Sequence, residues 1–327
     1  MRICVNNRDC APLLEYFSNL KQLELVVPPP SFSTTQNLLT YLHDNRIEVL
    51  VQMAPQWEWG RYMEQVSLAV LSSGKKLFAA EGSLFRWLGN RRRAGTDIGF
   101  YLSPWGYSGN SKLSRSLPSP SGADMAVANS LMDRLPRWKS SSRRVLVLGQ
   151  INGDRAALFR GQAKSNSELI TLAQSLWGES YVYFKPHPLS LEEANVVVGN
   201  TVSSKATIAD IVNDFGIVVS ANSTGTVEAI CCGIPVMCTG VGPWSGSHIV
   251  SSLRKEPCSY SRSDAIYCIA ALASLHHFLP SMGINQNETL FERALAEHSA
   301  FDSDLFSWGA IKSDMEPQPW NGQYFWD

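Results

Sequence analysis

The chain has 327 residues, a formal net charge of −1, and 44% hydrophobic and 17% charged residues. That is an ordinary globular composition, long enough to bury a large core, and the length favours two domains. The near-neutral charge gives no electrostatic case for nucleic acid as the main partner, and no stretch reaches the run of about 18 apolar residues expected of a membrane span. Met1-Arg2-Ile3-Cys4 opens directly into strand-like sequence without a signal-peptide pattern, so a cytoplasmic location with at most peripheral membrane contact is expected. The seven cysteines form an odd set without disulfide-like spacing, and Cys231 and Cys232 fall in an apolar helix pattern. Buried small residues fit them better than metal ligands.

In chain order, strands are expected at Arg2–Val5, Leu23–Val27, Glu48–Gln52 and Lys76–Ala80. Helices are expected at Ala11–Leu20, Gln36–His43 and Trp57–Ser72 between them. This alternation implies a parallel sheet wrapped by helices. The stretch Tyr101–Ala123 is rich in Ser, Gly and Pro and reads as a loop or inter-domain crossing. A second cycle follows the helix Asp124–Leu135: strand Arg144–Leu148, helix Ser165–Leu176, strand Tyr181–Phe184, and short helices at Leu191–Asn195 and Thr207–Asn213. Strand Ile217–Ser220, helix Thr226–Cys232 and strand Val236–Thr239 complete it, with Ser263–Leu279 and Glu288–Glu297 as final helices. His276-His277 falls in the first of these, where solvent or packing is the default role. The organisation is an N-terminal α/β domain over 1–123, a second over 124–280, and a C-terminal helix and Trp-rich tail over 281–327 packing across both.

Four turns at strand ends carry residues suited to chemistry. After the apolar run Ile217-Val218-Val219 comes Asn222-Ser223-Thr224-Gly225, opening a helix that Gly233 closes. Free N–H groups and the positive dipole end there suit an anion. Glu228 lies about one turn inside, placed to accept from a ribose diol. Lys185-Pro186-His187-Pro188 ends another strand, its prolines holding the imidazole rigidly for a ring N–H to reach a phosphate. Gly149-Gln150-Ile151-Asn152-Gly153-Asp154 places a carboxylate beyond a third strand; a cap on the next helix explains Asp154 equally well on local grounds. Glu81-Gly82-Ser83-Leu84-Phe85-Arg86 brings a carboxylate and a guanidinium from the N-terminal half, with a surface ion pair as the even alternative. Asp302-Ser303-Asp304 resembles a metal-binding Asp-X-Asp but lies outside any strand–turn context, and Arg91-Arg92-Arg93 reads as a solvated basic loop. No Gly-X-Gly-X-X-Gly opens a helix after a strand, so a dinucleotide site is not supported.

Taken in order, these motifs resemble the bacterial β-Kdo glycosyltransferases, enzymes that build capsule linkers and O-antigen ends (Kdo is a 3-deoxy-octulosonic acid). The resemblance covers about residues 75–245, with Gly99-Phe100-Tyr101 adding to the N-terminal signature. It implies an α/β, GT-B-like fold of two Rossmann-type parallel-sheet domains facing across a cleft. It also implies CMP-β-Kdo as donor, retention of configuration, a surface-polysaccharide or lipid-linked acceptor, and neither metal nor cofactor. By position, Asp154 would be the nucleophile and Glu81 the acid/base group. Ser223, Thr224 and Gly225 would hold phosphate with His187 and Pro188, and Glu228 would bind ribose. Lys185 and Arg86 would meet the sugar carboxylate, with Gln150 beside the donor. The chain departs from the family at Ser83, where glycine is usual, and at Gly242-Pro243-Trp244-Ser245-Gly246, where Ala-Gly-Trp-Gly is usual. Two further readings stay open: an inverting transferase for a sialic-acid-like CMP-sugar, and a non-catalytic binder of nucleotide or glycan in an assembly complex.

Overall fold

A computed structural model describes residues 1–6, 11–28, 35–53, 69–70, 72–89, 98–103, 117–151, 165–188, 200–240, 242–253, 257, 259–284 and 290–299. Most of the helix expected over Trp57–Ser72, the short helix Leu191–Asn195, the basic run 91–93, the Asp-X-Asp and the tail fall outside them. So does Asp154.

The first sheet is built from β1 (Arg2–Asn6), β2 (Glu24–Val26), β3 (Val49–Met53), β4 (Lys76–Gly82), β5 (Gly99–Ser103) and, from far along the chain, β11 (His276–Phe278), in the order β11-β5-β4-β3-β1-β2. Strands β2, β1, β3 and β4 run parallel, as β–α alternation requires. Strand β5 is antiparallel to β4, and β11 to β5. The two faces are covered from opposite sides. Cys4, Leu50 and Leu77 pack against Leu38 and Leu42 of α2 (Thr35–Asp44). Ile3, Val51 and Phe78 face Leu13 and Phe17 of α1 (Ala11–Ser18).

The second sheet comprises β6 (Val145–Leu148), β7 (Val182–Lys185), β8 (Ile217–Ser220), β9 (Val236–Cys238) and β10 (Val250–Ser252), all parallel in the order β10-β9-β8-β6-β7. Its helices begin where hydroxyl residues can cap free N–H groups. Ser121 and Asp124 form a capping box on α3 (Gly122–Asp133), Ser165 caps α4 (Asn166–Trp177), and Thr207 with Asp210 caps the short α5 (Ile208–Ile211). Helix α6 (Gly225–Cys232) ends at Gly233 in the left-handed conformation, φ 86°, which glycine adopts without strain.

Two corrections concern the first sheet. Residues 101–103, expected to begin a loop, belong to β5, all of whose residues are buried. The helix expected to reach Leu279 ends as α7 (Arg262–Ala273), and His276-His277-Phe278 forms β11 against β5. Tertiary pairing overrides the helical look of that Ala- and Leu-rich segment. Leu102 N–H donates to Leu275 O (3.0 Å) and Leu279 N–H to Ile98 O (3.0 Å), extending the ladder at both ends.

The chain thus crosses between the sheets twice, before α3 and after α7, and these two helices pack together. One continuous apolar cluster runs from Ile3 and Phe78 through Leu131 of α3 and Ile269 of α7 to Leu146 and Val218. Helix α8 (Leu290–Ser299) closes over the crossings. Its Arg293 donates to Asp124 Oδ1 (2.6 Å) and to Ser274 O (3.3 Å), one group beside each crossing.

Candidate functional site

The second sheet has one place where connections diverge. Strand β6 leads to α4, whose Leu169, Ile170 and Ala173 cover Val145 and Val147. Adjacent β8 leads to α6, whose Val227 and Ile230 join Leu146 and Val218 in the core on the opposite face. Loops leaving neighbouring strands for opposite faces leave a crevice over the carboxyl ends, where open α/β sheets bind ligands. Residues 149–151 and 221–224 border it.

Close packing sets the first loop. Gly149 N–H donates to Lys185 O (2.8 Å), and a Cβ at Gly149 would lie 2.8 Å from the Phe184 ring. Glycine is therefore needed to join the ends of β6 and β7. Gln150 is buried, and its backbone is held both ways by Asn166: Oδ1 accepts from Gln150 N–H (2.9 Å) and Nδ2 donates to Gln150 O (2.8 Å). Its side-chain Nε2 donates to Asn222 Oδ1 (2.5 Å), tying the β6 loop to the β8 loop. Gln150 Oε1, a buried acceptor, has no hydrogen-bond partner among the described residues.

The hydroxyl turn divides its work. Ser220 Oγ accepts from Ser223 N–H (3.0 Å), and Ser223 Oγ accepts from Gly225 N–H (3.3 Å). Ser223 therefore shapes the turn through its own hydroxyl. Thr224 is the N-cap of α6, and its side chain makes no cap hydrogen bond. Its hydroxyl sits at the positive end of the helix, available to an anion. A Cβ at Gly225 would meet Leu148 Cδ1 at 2.9 Å and Ile208 Cδ1 at 3.2 Å, so this glycine lets α6 seat against β6. Glu228 is buried, with Oε1 accepting from Ala209 N–H (3.1 Å) at the start of α5.

At the end of β7, Lys185 is buried and its Nζ donates to Ser204 O (3.0 Å). His187 follows, half-buried, and Pro188 is exposed. Burial lowers the His187 pKa to about 4, and the positive charges of Arg86 and Lys185 push the same way. The imidazole is neutral at neutral pH, with one ring N–H to donate. Arg86 belongs to the other half of the molecule, and its charge acts on His187 across to the second half. Its Nε donates to Ser83 O (3.3 Å) just beyond β4. Glu81, read from sequence as a loop residue, lies inside β4, part-exposed and paired in register with Tyr101.

Sequence reading gave no role to Asn166 or to Asn222, which fix Gln150, and it missed the contact beneath the turn that leads to Arg86. There His276 Nε2 lies 2.5 Å from Ser83 Oγ, both residues buried. An Asn after an N-cap serine was a local signal for the first of these. Nothing local marks the last.

Protonation of the buried histidines sets a pH dependence. His187, His276 and His277 all have folded pKa values below the ordinary 6.5, each mainly through burial. The folded state thus binds fewer protons, so its stability is full above about pH 6.5 and falls as pH drops toward about 4. Between pH 7 and pH 5 in urea unfolding, His187 alone should cost about 2 kcal/mol, and His276 and His277 should add to the loss in the same direction. Equal stability at both values would contradict it.

No family model matches the chain, and no curated protein matches it. Among solved structures, the β-Kdo 2,7-transferase of Thermosulfurimonas dismutans KpsC is similar at 15% identity and a TM-score of 0.60, over 90% of this chain and 99% of that one. The β-Kdo 2,4-transferase of the same KpsC is also 15% identical, with a TM-score of 0.58 over 88% of this chain and 95% of the other. At this identity the likeness is one of fold. The chain has a GT-B-like fold, two Rossmann-type α/β halves facing each other across a cleft, as these two structures do.

Proposed function

We propose that the chain is a retaining glycosyltransferase that moves Kdo from CMP-β-Kdo to a bacterial surface-polysaccharide or lipid-linked acceptor. The observation that carries this reading is that the positive charge of Arg86, from the first half, acts on His187 together with Lys185 at a strand end of the second. Positive charge gathers there beside a crevice bordered by the N-terminal end of α6. Such a place suits a phosphate whose sugar must be presented to groups on the far side.

In this reading the CMP phosphate sits against Thr224, with His187 donating a ring N–H and Glu228 near the ribose. The leaving-group charge is met by the α6 dipole and His187, with Lys185 and Arg86 toward the sugar carboxylate, so the chemistry requires no metal. An Asp154 carboxylate oxygen bonds to the anomeric carbon while the bond to the phosphate oxygen breaks and its electron pair leaves with CMP. The acceptor hydroxyl oxygen then bonds to the same carbon as the ester to Asp154 breaks, its proton passing to Glu81. Two inversions give net retention. Gln150 Oε1, an acceptor without a partner among the described residues, suits a sugar hydroxyl.

The acceptor, a glycan or glycolipid, would bring the protein to the cytoplasmic side of the inner membrane as a peripheral visitor. No helix among the described residues is long and apolar enough to cross it.

The deciding experiment incubates the protein with CMP-Kdo, other CMP-sugars and a panel of capsule and O-antigen acceptors, following CMP release and the product anomer by NMR. A β-Kdo product is expected. An inverted product, or turnover of a sialic-acid donor alone, would replace this reading with an inverting transferase. Absence of release from any CMP-sugar would reject catalysis.

A further inference from the structure

The turn that follows Glu81 and carries Arg86 rests on a residue almost two hundred positions away. Ser83 is fully buried, and its Oγ accepts from Phe85 N–H (2.9 Å), curling the chain into the 3-10 turn Arg86–Leu88. Its carbonyl accepts from Arg86 Nε (3.3 Å). Its hydroxyl meets His276 Nε2 at 2.5 Å. Ser83 Oγ thus joins Phe85 N–H and the His276 ring at one buried point, and either Nε2 or Oγ can supply the shared hydrogen. That ring is wedged between aromatics, with centroids 5.2 Å from Phe85 and 4.1 Å from Phe278. Strand β11, which delivers it, is held by its ladder to β5, the neighbour of Glu81 in the sheet.

We propose that His276 is a positioning residue for the first-half wall of the crevice: through Ser83 it fixes the turn that follows Glu81 and carries Arg86. This rests on the reading of that crevice as a donor site. It gives β11, a strand of only three residues, a task beyond completing the sheet. Among the described residues, the last segment to pair in a sheet supports the wall opposite the phosphate cradle.

The experiment reads the position of Arg86 without any donor. The His187 imidazole is titrated by NMR in the wild-type chain and in Arg86→Ala, His276→Phe, His276→Gln and Ser83→Ala, with near-UV circular dichroism to establish folding. Removing the Arg86 charge should raise the His187 pKa by about half a unit or more. His276→Phe keeps the aromatic packing but loses the hydrogen bond, and should give at least half of that rise. Ser83→Ala, the smaller change, should do the same and serves if His276→Phe does not fold. His276→Gln places an amide where Nε2 was and should stay near the wild-type value. A folded His276→Phe or Ser83→Ala protein with an unchanged His187 pKa, while Arg86→Ala shifts it, would reduce His276 to a packing residue. An Arg86→Ala protein with no shift would overturn the proposal as well. Failure to turn over CMP-Kdo bears on the transferase reading alone, since no sugar nucleotide enters this titration.

Discussion

Asp154→Ala should lower CMP release from CMP-Kdo by about 10⁴-fold while leaving CMP affinity within a few-fold of wild type. The two effects separate because they belong to different groups. CMP is assigned to Thr224, His187 and Glu228, contributed by β7, β8 and the helix that follows β8. The nucleophile is assigned to the loop beyond Gln150, whose start is fixed by Asn166 and Asn222. Without a carboxylate to form the covalent intermediate, the remaining dipole and positive charges still stabilise the departing phosphate, so residual turnover is expected. Intact-mass analysis of the wild-type protein after mixing with donor should show a Kdo adduct that Asp154→Ala lacks. Turnover within about tenfold of wild type in Asp154→Ala would assign the chemistry elsewhere.

Gly99→Ala should destabilise the protein by about 3 kcal/mol or more, enough to prevent soluble expression. Gly99 opens β5 at φ 130°, and a Cβ there would sit 1.7 Å from the backbone oxygen of His277. No side-chain adjustment relieves such a contact. Either β5 or β11 must move, and with β11 go His276 and the crossing after α7. Gly74 provides the control: its φ is 75°, but among the described residues beyond its chain neighbours no atom lies within 4 Å of an added Cβ. Gly74→Ala should therefore cost only the left-handed strain, about 1–2 kcal/mol. Thermal unfolding of the two variants separates steric from conformational cost. A Gly99→Ala protein as stable as Gly74→Ala would mean that β11 is not seated on β5 as described.

Much of the second half was legible because its strands are short apolar runs ended by turn residues. Val145–Leu148, Ile217–Ser220 and Val236–Cys238 are buried along their whole length, and the residues that leave them (Gly149, Ala221, Thr239) are small. Gly233 marked the end of α6 for a reason visible in one residue. Strand β11 was not legible. A run of Ala, Leu and His carries no β signal, and only its partner Phe100-Tyr101 makes it a strand. Strand β5 was hidden by the Ser-, Gly- and Pro-rich sequence after it.

The site shows the same division. Thr224 and His187 could be named from local chemistry, since a helix start and a proline-flanked imidazole declare what they offer. The bonds that place the site join residues 72 apart, in Gln150 and Asn222, and 193 apart, in Ser83 and His276. Spacing along a chain does not encode such pairs. Gly225 was assigned to the ligand from its motif, and its contacts with Leu148 and Ile208 give it a packing reason to be glycine.

Cytidylate itself offers the most direct check, through a crystal structure of the complex. Its phosphate should lie within hydrogen-bonding reach of Thr224 and His187, over the gap between β6 and β8, with Arg86 overlooking it from the other sheet. Density for the nucleotide on a surface that includes neither Thr224 nor His187 would contradict everything proposed for this crevice.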